Sequence, residues 1–329
     1  MRVEVKHTLA ARNLLISLTG FAYVAVFAFA WLRGFAIDYS SIASPVAVGL
    51  GFVIGVGSIC TWRGMTTIRA GIECLGYGLL LTVPLVLSTY LAAGIGMPLA
   101  DPLLARIDGL LGVNWPELIR WIDGVPLLPK LLHWAYRSFS YQLLLLPVIL
   151  VVYRKCARAY EMVSAYALTC LASSVVSIWT PALGTYVFYT FDFNQLRNID
   201  VTYGFFFLDQ FDAVRTDPSF VWRLHDSSGI VTFPSVHAAG AVLCAWAAWD
   251  IKLLRYPAAI LNIGMAFSTL PEANHYFIDI VAGVVIAIVA IVTVKHLVKR
   301  RFTSLVPDGE TEERPASPQP SPEPSGSMA

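Results

Sequence analysis

Residues 229–237 read Gly-Ile-Val-Thr-Phe-Pro-Ser-Val-His, and residues 268–279 read Ser-Thr-Leu-Pro-Glu-Ala-Asn-His-Tyr-Phe-Ile-Asp. Both stretches lie among apolar runs, yet they contain His237, His275 and Asp279. An aspartate at the centre of a membrane helix costs roughly 2.5–3.5 kcal/mol on insertion scales, so such residues are usually functional. We therefore ask whether the chain brings them to one place.

The composition predicts a multi-pass membrane protein. Of the 329 residues, 57% are hydrophobic and 14% are charged, with a mean hydropathy of +0.64. A soluble domain carries about 25% charged residues. Several apolar runs are long enough for a bilayer-spanning helix, which takes about 20 residues. The net charge of +1 and the lack of a basic, aromatic-rich patch give no indication of a nucleic-acid partner.

The apolar runs predict an all-α membrane bundle of about eight transmembrane helices. The predicted spans are 13–32, 45–62, 71–93, 134–153, 160–179, 232–249, 256–270 and 276–294. The end of the first span loosely resembles a signal-peptidase site, but we expect the helix to be retained. Residues 94–133 are too polar to span, and their apolar spacing predicts a helix lying in the membrane interface.

We divide the chain into N-terminal helices with the interfacial segment (1–132), a catalytic membrane core (133–301) and a disordered cytoplasmic tail (302–329). With the N-terminus inside, the short inner segments hold 14 lysines and arginines, and the longer outer segments hold eight. Because cytoplasmic loops are enriched in these residues, both termini are predicted to be cytoplasmic. The polar motifs then lie on the extracytoplasmic face, and we expect a bacterial inner membrane.

This topology places three helix ends at one depth, near residues 181, 233–237 and 268–275. His275 and Asp279 are four residues apart, so they share one face of the eighth helix. The carboxylate can fix the tautomer of the histidine and make it a better nucleophile or base. His237 lies in the first turn of the sixth helix, where free amides and the helix dipole favour an anion. There it can act as a general acid.

Other polar residues leave both a functional and a structural interpretation open. Ser235 and Ser268 can hold phosphate oxygens, or they can be hydroxyls that pack between helices. The remaining histidines are expected to be partly wet interface side chains. The five cysteines are scattered without metal-ligand spacing, so we expect small buried apolar residues, no metal and no cofactor.

These motifs resemble the type-2 phosphatidic acid phosphatase superfamily. Its Pro-Ser-X-His signature is matched by residues 234–237. A second signature, Ser-Arg, five residues, His, three residues, Asp, is matched by Ser268, His275 and Asp279, with Thr269 in place of the arginine. The resemblance extends over residues 160–294 and implies a six-helix phosphatase-type core.

The chain also departs from the phosphatase branch of that superfamily. The usual Lys, six residues, Arg-Pro motif is absent, because residues 179–184 contain no lysine or arginine. The pattern looks more like the branch that contains inositol phosphorylceramide synthase, which includes many phosphotransferases. A cation for the phosphate must then come from elsewhere, and Arg215 is the first candidate, with Arg197 and Arg223 behind it.

The resemblance implies an integral-membrane enzyme that cleaves the phosphoester of a membrane lipid phosphate or phospholipid. His275 would form a phosphohistidine, Asp279 would orient it, and His237 would protonate the leaving oxygen. The acceptor would be water in a phosphatase or an alcohol in a phosphotransferase. Two alternatives stay open: a proton-coupled transporter, and an inactive lipid-binding scaffold of the same fold.

Overall fold

The structure is a computed structural model that describes residues 2–190 and 196–305. The first half contains α1 (Arg2–Leu32), α2 (Ser40–Leu50), a π-helical turn (Gly51–Val56), α3 (Gly57–Trp62), α4 (Thr66–Ala93), α5 (Asp101–Leu110), α6 (Trp115–Gly124) and α7 (Leu128–Val152). The second half contains α8 (Cys156–Ser177), α9 (Thr185–Phe188), α10 (Thr202–Phe205), α11 (Leu208–Thr216), a 3-10 turn (Leu224–Asp226), α12 (Val236–Ala248), α13 (Arg255–Glu272) and α14 (Phe277–Leu305).

This architecture confirms the predicted all-α, multi-pass membrane bundle. Six helical segments in the described residues are long and apolar enough to cross a membrane, and α2, the π-turn and α3 together form one of them. The sixth and seventh predicted spans correspond to α12 and α13, which are not among those six. The 13 residues of α12 would extend only about 20 Å.

The helix ends differ from the predicted bounds at both termini of the described chain. The first helix begins at Arg2 instead of residue 13, and α14 continues to Leu305 instead of ending near 294. Charged residues stabilise these extensions: Nε of Arg12 lies 2.6 Å from Oε2 of Glu73. Arg301 donates to the hydroxyl of Ser17 over 3.1 Å. The predicted disordered tail beyond residue 305 lies outside the described residues.

The bundle is organised around α8, which packs against α1, α4, α7, α12 and α14. The first helix also packs against α4 and α14, so the N-terminal helices are part of the same bundle. Four of the five cysteines are buried, and the fifth is half-buried. The predicted interfacial helix is present as two short helices, α5 and α6, and α5 packs against α9 and α14. These short helices therefore lie beside the end of the bundle where α14 begins.

Candidate active site

The centre of the candidate site is a hydrogen-bonded histidine–aspartate pair. Nδ1 of His275 lies 2.9 Å from Oδ2 of Asp279, and the backbone N–H of Tyr276 donates to the same oxygen over 3.0 Å. The two side chains of the pair are 5% and 0% exposed. His275 was predicted to share one face of the eighth helix with Asp279, but α14 begins only at Phe277. The hydrogen bond therefore joins the connector after α13 to the first turn of α14, and it fixes the orientation of the imidazole.

The burial of His275 determines its charge. Burial lowers the pKa of His275 to about 3, while the backbone of Thr232 acts in the opposite direction. A histidine with a lowered pKa is neutral near pH 7, and its unprotonated nitrogen keeps the lone pair that a nucleophile requires. The ring is thus both oriented and uncharged.

The start of α12 lies directly against the first turn of α14. The backbone N–H of Ser235 donates to the backbone carbonyl of Asp279 over 3.1 Å. A side chain at Gly283 would collide with the carbonyl oxygen of Ser235, so only glycine permits this approach. The two sequence motifs are therefore adjacent in space, as the predicted topology required.

His237 is held by two aromatic rings of α7. Its imidazole stacks on Tyr136 with ring centroids 4.4 Å apart and an interplanar angle of 17°. The ring of Phe139 is 4.7 Å away and tilted by 52°. These aromatics carry no signal of a site in the sequence, because aromatic residues near the end of a membrane span are common without any catalytic role.

His237 and His275 line the same cavity, which has a volume of about 480 Å³. In the described chain, the backbone amides of Val236 and His237 have no hydrogen-bond acceptor, and both residues line this cavity. A helix N-terminus with free amides is suited to an anion. The opposite wall comes from α4, through Thr82, Leu85, Val86 and Thr89.

A larger apolar cavity adjoins the one that contains the histidines. Its volume is about 580 Å³, and its lining comes mainly from α4, α7 and α8. The two cavities share four lining residues: Thr82, Leu85, Val86 and Tyr166. The polar end with the histidines thus continues into an apolar space between membrane helices.

The two predicted phosphate-binding serines are both fully buried, and neither lines the cavity. The hydroxyl of Ser235 caps α12 by accepting from the backbone N–H of Ala238 over 3.3 Å. The hydroxyl of Ser268 donates to the carbonyl oxygen of Met265 over 2.7 Å. Their hydroxyls are thus engaged by backbone groups, which corresponds to the structural interpretation of these residues.

None of the three candidate arginines lines the cavity. Arg215 donates to the carbonyl of Met97 over 2.9 Å and to that of Ala93 over 3.4 Å. Arg223 lies 3.3 Å from Asp38. Arg197 is exposed, and its backbone N–H donates to the carboxylate of Asp123. The structure places the three predicted cations in the connection between α8 and α12, outside the lining of the cavity that contains the histidines.

Three buried aspartates of the segment between α4 and α7 hold the loops around the site. Asp108 accepts from the backbone N–H groups of Phe277 and Ile278 over 2.7 and 2.9 Å, at the start of α14. Burial raises the pKa of Asp108, and these two hydrogen bonds oppose that effect. Asp101 accepts from the hydroxyl of Tyr276 over 3.0 Å.

The third aspartate, Asp123, accepts from the backbone N–H groups of residues 197–199. These roles of the three aspartates were not predicted from the sequence. The available signal was the occurrence of three aspartates in a segment too polar to span. Among the described residues, no three histidine, cysteine or acidic side chains cluster as metal ligands would.

The fold and the site together define an α-helical, multi-pass membrane protein with a buried His–Asp pair beside a second histidine. The chain belongs to the PAP2 superfamily, whose family model matches residues 102–293. This match begins well before residue 160, where the resemblance was expected to start, so it includes α6 and α7. No curated protein and no solved structure matches the chain.

Proposed function

We propose that this protein is a membrane enzyme that cleaves a lipid phosphoester through a phosphohistidine at His275. The observation that carries the proposal is that His275, oriented by Asp279, shares one cavity with His237. Membership of the PAP2 superfamily supports phosphatase-type chemistry at this site. A buried, oriented histidine beside a second histidine provides the nucleophile and the general acid that such chemistry requires.

In the proposed first step, the lone pair of His275 Nε2 forms a bond to phosphorus, and the bond from phosphorus to the leaving oxygen breaks. His237 becomes protonated when the anionic phosphate group binds beside it, and it gives that proton to the leaving oxygen. Asp279 stabilises the positive charge that develops on the imidazole of His275. In the second step, neutral His237 takes a proton from the acceptor, whose oxygen attacks phosphorus and breaks the phosphorus–nitrogen bond.

The negative charge of the phosphoryl oxygens needs donors in the transition state. The free amides of Val236 and His237 at the start of α12 are positioned in the cavity for this role. Such pre-oriented donors favour the developing charge because they do not have to reorganise during the reaction. This assignment replaces the hydroxyls of Ser235 and Ser268 by the backbone amides at the start of α12.

The adjoining apolar cavity supports a lipid as the substrate, because an acyl chain can occupy the space between α4, α7 and α8. The acceptor is water in a phosphatase or an alcohol in a phosphotransferase of the inositolphosphotransferase type. The distribution of basic residues favours a site on the extracytoplasmic face with both termini in the cytoplasm.

The purified full-length protein, incubated with a mixed lipid extract and followed by mass spectrometry, tests this proposal. Dephosphorylated lipid and free phosphate identify a phosphatase, whereas a new phosphodiester and a released diacylglycerol identify a transferase. A phosphoryl adduct on a His275 peptide supports the intermediate. Unchanged turnover in His275→Ala contradicts the proposal, and lipid binding without any turnover favours a scaffold.

A further inference from the structure

A third cavity, of about 420 Å³, adjoins the catalytic cavity on the side of His237. The two cavities share four lining residues: Tyr136, Phe207, Gly229 and His237. The third cavity is also lined by Arg137 of α7, and no other lysine or arginine lines either of the two. The permanent positive charge of Arg137 thus lies in the cavity next to the one that contains His275, the proposed nucleophile.

Arg137 is exposed, although it lies within a helix long and apolar enough to cross a membrane. Its neighbours one turn away, Trp134 and Tyr141, are 70% and 60% exposed. Exposed tryptophan and tyrosine on a membrane helix mark the level of the lipid headgroups. Arg137 therefore lies at the depth where lipid phosphates occur.

A charged side chain in a membrane span normally has a partner. In the described part of the chain, Arg137 makes no ion pair and no side-chain hydrogen bond, in contrast to Arg215 and Arg223. The partner of Arg137 is then expected outside the protein. An arginine at the mouth of a cavity is well suited to a phosphate group, because its guanidinium can donate two parallel hydrogen bonds.

We propose that Arg137 binds the anionic phosphate group of the lipid substrate beside His237, which makes it the cation of this site. The inference rests on the proposed function for the identity of the ligand. The cation of the site is then Arg137 of α7, and not one of the arginines in the connection between α8 and α12, namely Arg197, Arg215 and Arg223. A lipid would reach the histidines along α7, with its phosphate held by Arg137 and its chains in the apolar part of the bundle.

Lys130 provides a matched control for this role. It lies seven residues before Arg137 on α7, and is therefore on nearly the same face two turns away. It is exposed, and it lines neither the catalytic cavity nor the third cavity. Removing its charge changes the electrostatics of the same helix face without changing the cavity.

The test measures equilibrium binding of dihexanoyl phosphatidic acid to the full-length protein in detergent, in a His275→Ala background that prevents turnover. We expect Arg137→Gln to weaken binding by about 10- to 100-fold, Arg137→Lys to restore part of it, and Lys130→Gln to change it by less than about threefold. For dihexanoyl phosphatidylcholine, whose headgroup carries no net charge, Arg137→Gln should change the affinity much less.

If Arg137→Gln and Lys130→Gln weakened the binding of phosphatidic acid equally, the effect would come from the general charge of the surface, and the inference would be overturned. Unchanged affinity in Arg137→Gln would also overturn it. So would a failure of phosphatidic acid to bind the His275→Ala protein with Arg137 intact. Turnover by the protein with His275 intact is measured separately. A charge-dependent binding site without turnover would refute the proposed enzyme and leave the role of Arg137 standing.

Discussion

Among the described residues, two histidine–carboxylate pairs have the same 2.9 Å separation but different surroundings. Nδ1 of His275 lies 2.9 Å from Asp279, and Nδ1 of His133 lies 2.9 Å from Glu272. The His133 side chain is 28% exposed, whereas that of His275 is 5% exposed. Neither His133 nor Glu272 lines the cavity that contains His237 and His275.

The difference shows that a short hydrogen bond between histidine and carboxylate does not by itself make a catalytic site. The pair at His275 has a cavity, a second histidine and free backbone amides beside it. The pair at His133 links α7 to the last turn of α13, next to Pro271, whose carbonyl accepts from the hydroxyl of Tyr186. We therefore expect the first pair to control the reaction and the second to control stability.

Replacing the two histidines in turn produces the largest expected contrast. His275→Ala should reduce kcat by at least about 1,000-fold, because the proposed nucleophile is lost. His133→Ala should leave kcat within about threefold. Steady-state turnover of the lipid identified by mass spectrometry measures both. Comparable losses in the two variants would show that the pairs do not differ in function.

Replacing the carboxylates is the second way to separate the pairs. Asp279→Asn should reduce kcat by about 100-fold or more, because the amide neither fixes the productive tautomer nor stabilises the imidazolium. Glu272→Gln should instead lower the temperature of unfolding, with little change in kcat. Asp279→Asn should therefore show the larger loss in a turnover assay, and Glu272→Gln the larger loss in a thermal melt. If one variant showed the larger loss in both assays, the two pairs would not differ in function as expected.

The aspartates that hold the loops provide a smaller contrast. Asp108→Asn should lower kcat about tenfold, because Asp108 accepts from two backbone amides at the start of α14, beside the catalytic pair. Asp123→Asn, which weakens the hold on residues 197–199, should change kcat by less than about twofold. KM should stay nearly constant in Asp108→Asn, since the expected defect is in orientation. A larger loss in Asp123→Asn would refute the assignment.

The smallest expected effect is the dependence of stability on pH. Burial lowers the pKa of His275 to about 3 in the folded protein, whereas an unfolded histidine has a pKa of about 6.5. Between these values the unfolded chain binds the additional proton, so stability falls as the pH is lowered from about 6.5. Thermal melts between pH 5 and 7 should show this fall in the wild type and less of it in His275→Gln. Identical slopes would show that His275 is not the titrating group.

The fold and the contact between His275 and Asp279 were predictable because they depend on local patterns. Long apolar runs predict helices in lipid, and the four-residue spacing of His275 and Asp279 predicts their hydrogen bond. The helix ends were less predictable, since the extension of α1 depends on Arg12 meeting Glu73, which is 61 residues away. Contacts between such distant residues leave no short-range signal.

The surroundings of His275 and Asp279 were mostly not predictable. Whether Ser235 binds a ligand or caps α12 is decided by the direction of one hydroxyl, and the motif is the same in both cases. The arginines between α8 and α12 were reasonable candidates in the sequence. In the structure, however, Arg215 donates hydrogen bonds to the carbonyls of Ala93 and Met97. The contact between Tyr136 and His237 depends on how α7 packs against α12.

The wall that α4 contributes to the cavity with His237 and His275 lies outside the residues matched by the family model. The proposed reacting groups and this part of the cavity wall are therefore encoded in separate parts of the gene. Mutations at Thr82, Leu85 or Val86 can reshape the cavity without touching either histidine. If the proposed function holds, such a division allows the choice of substrate to change during evolution while the chemical steps stay the same.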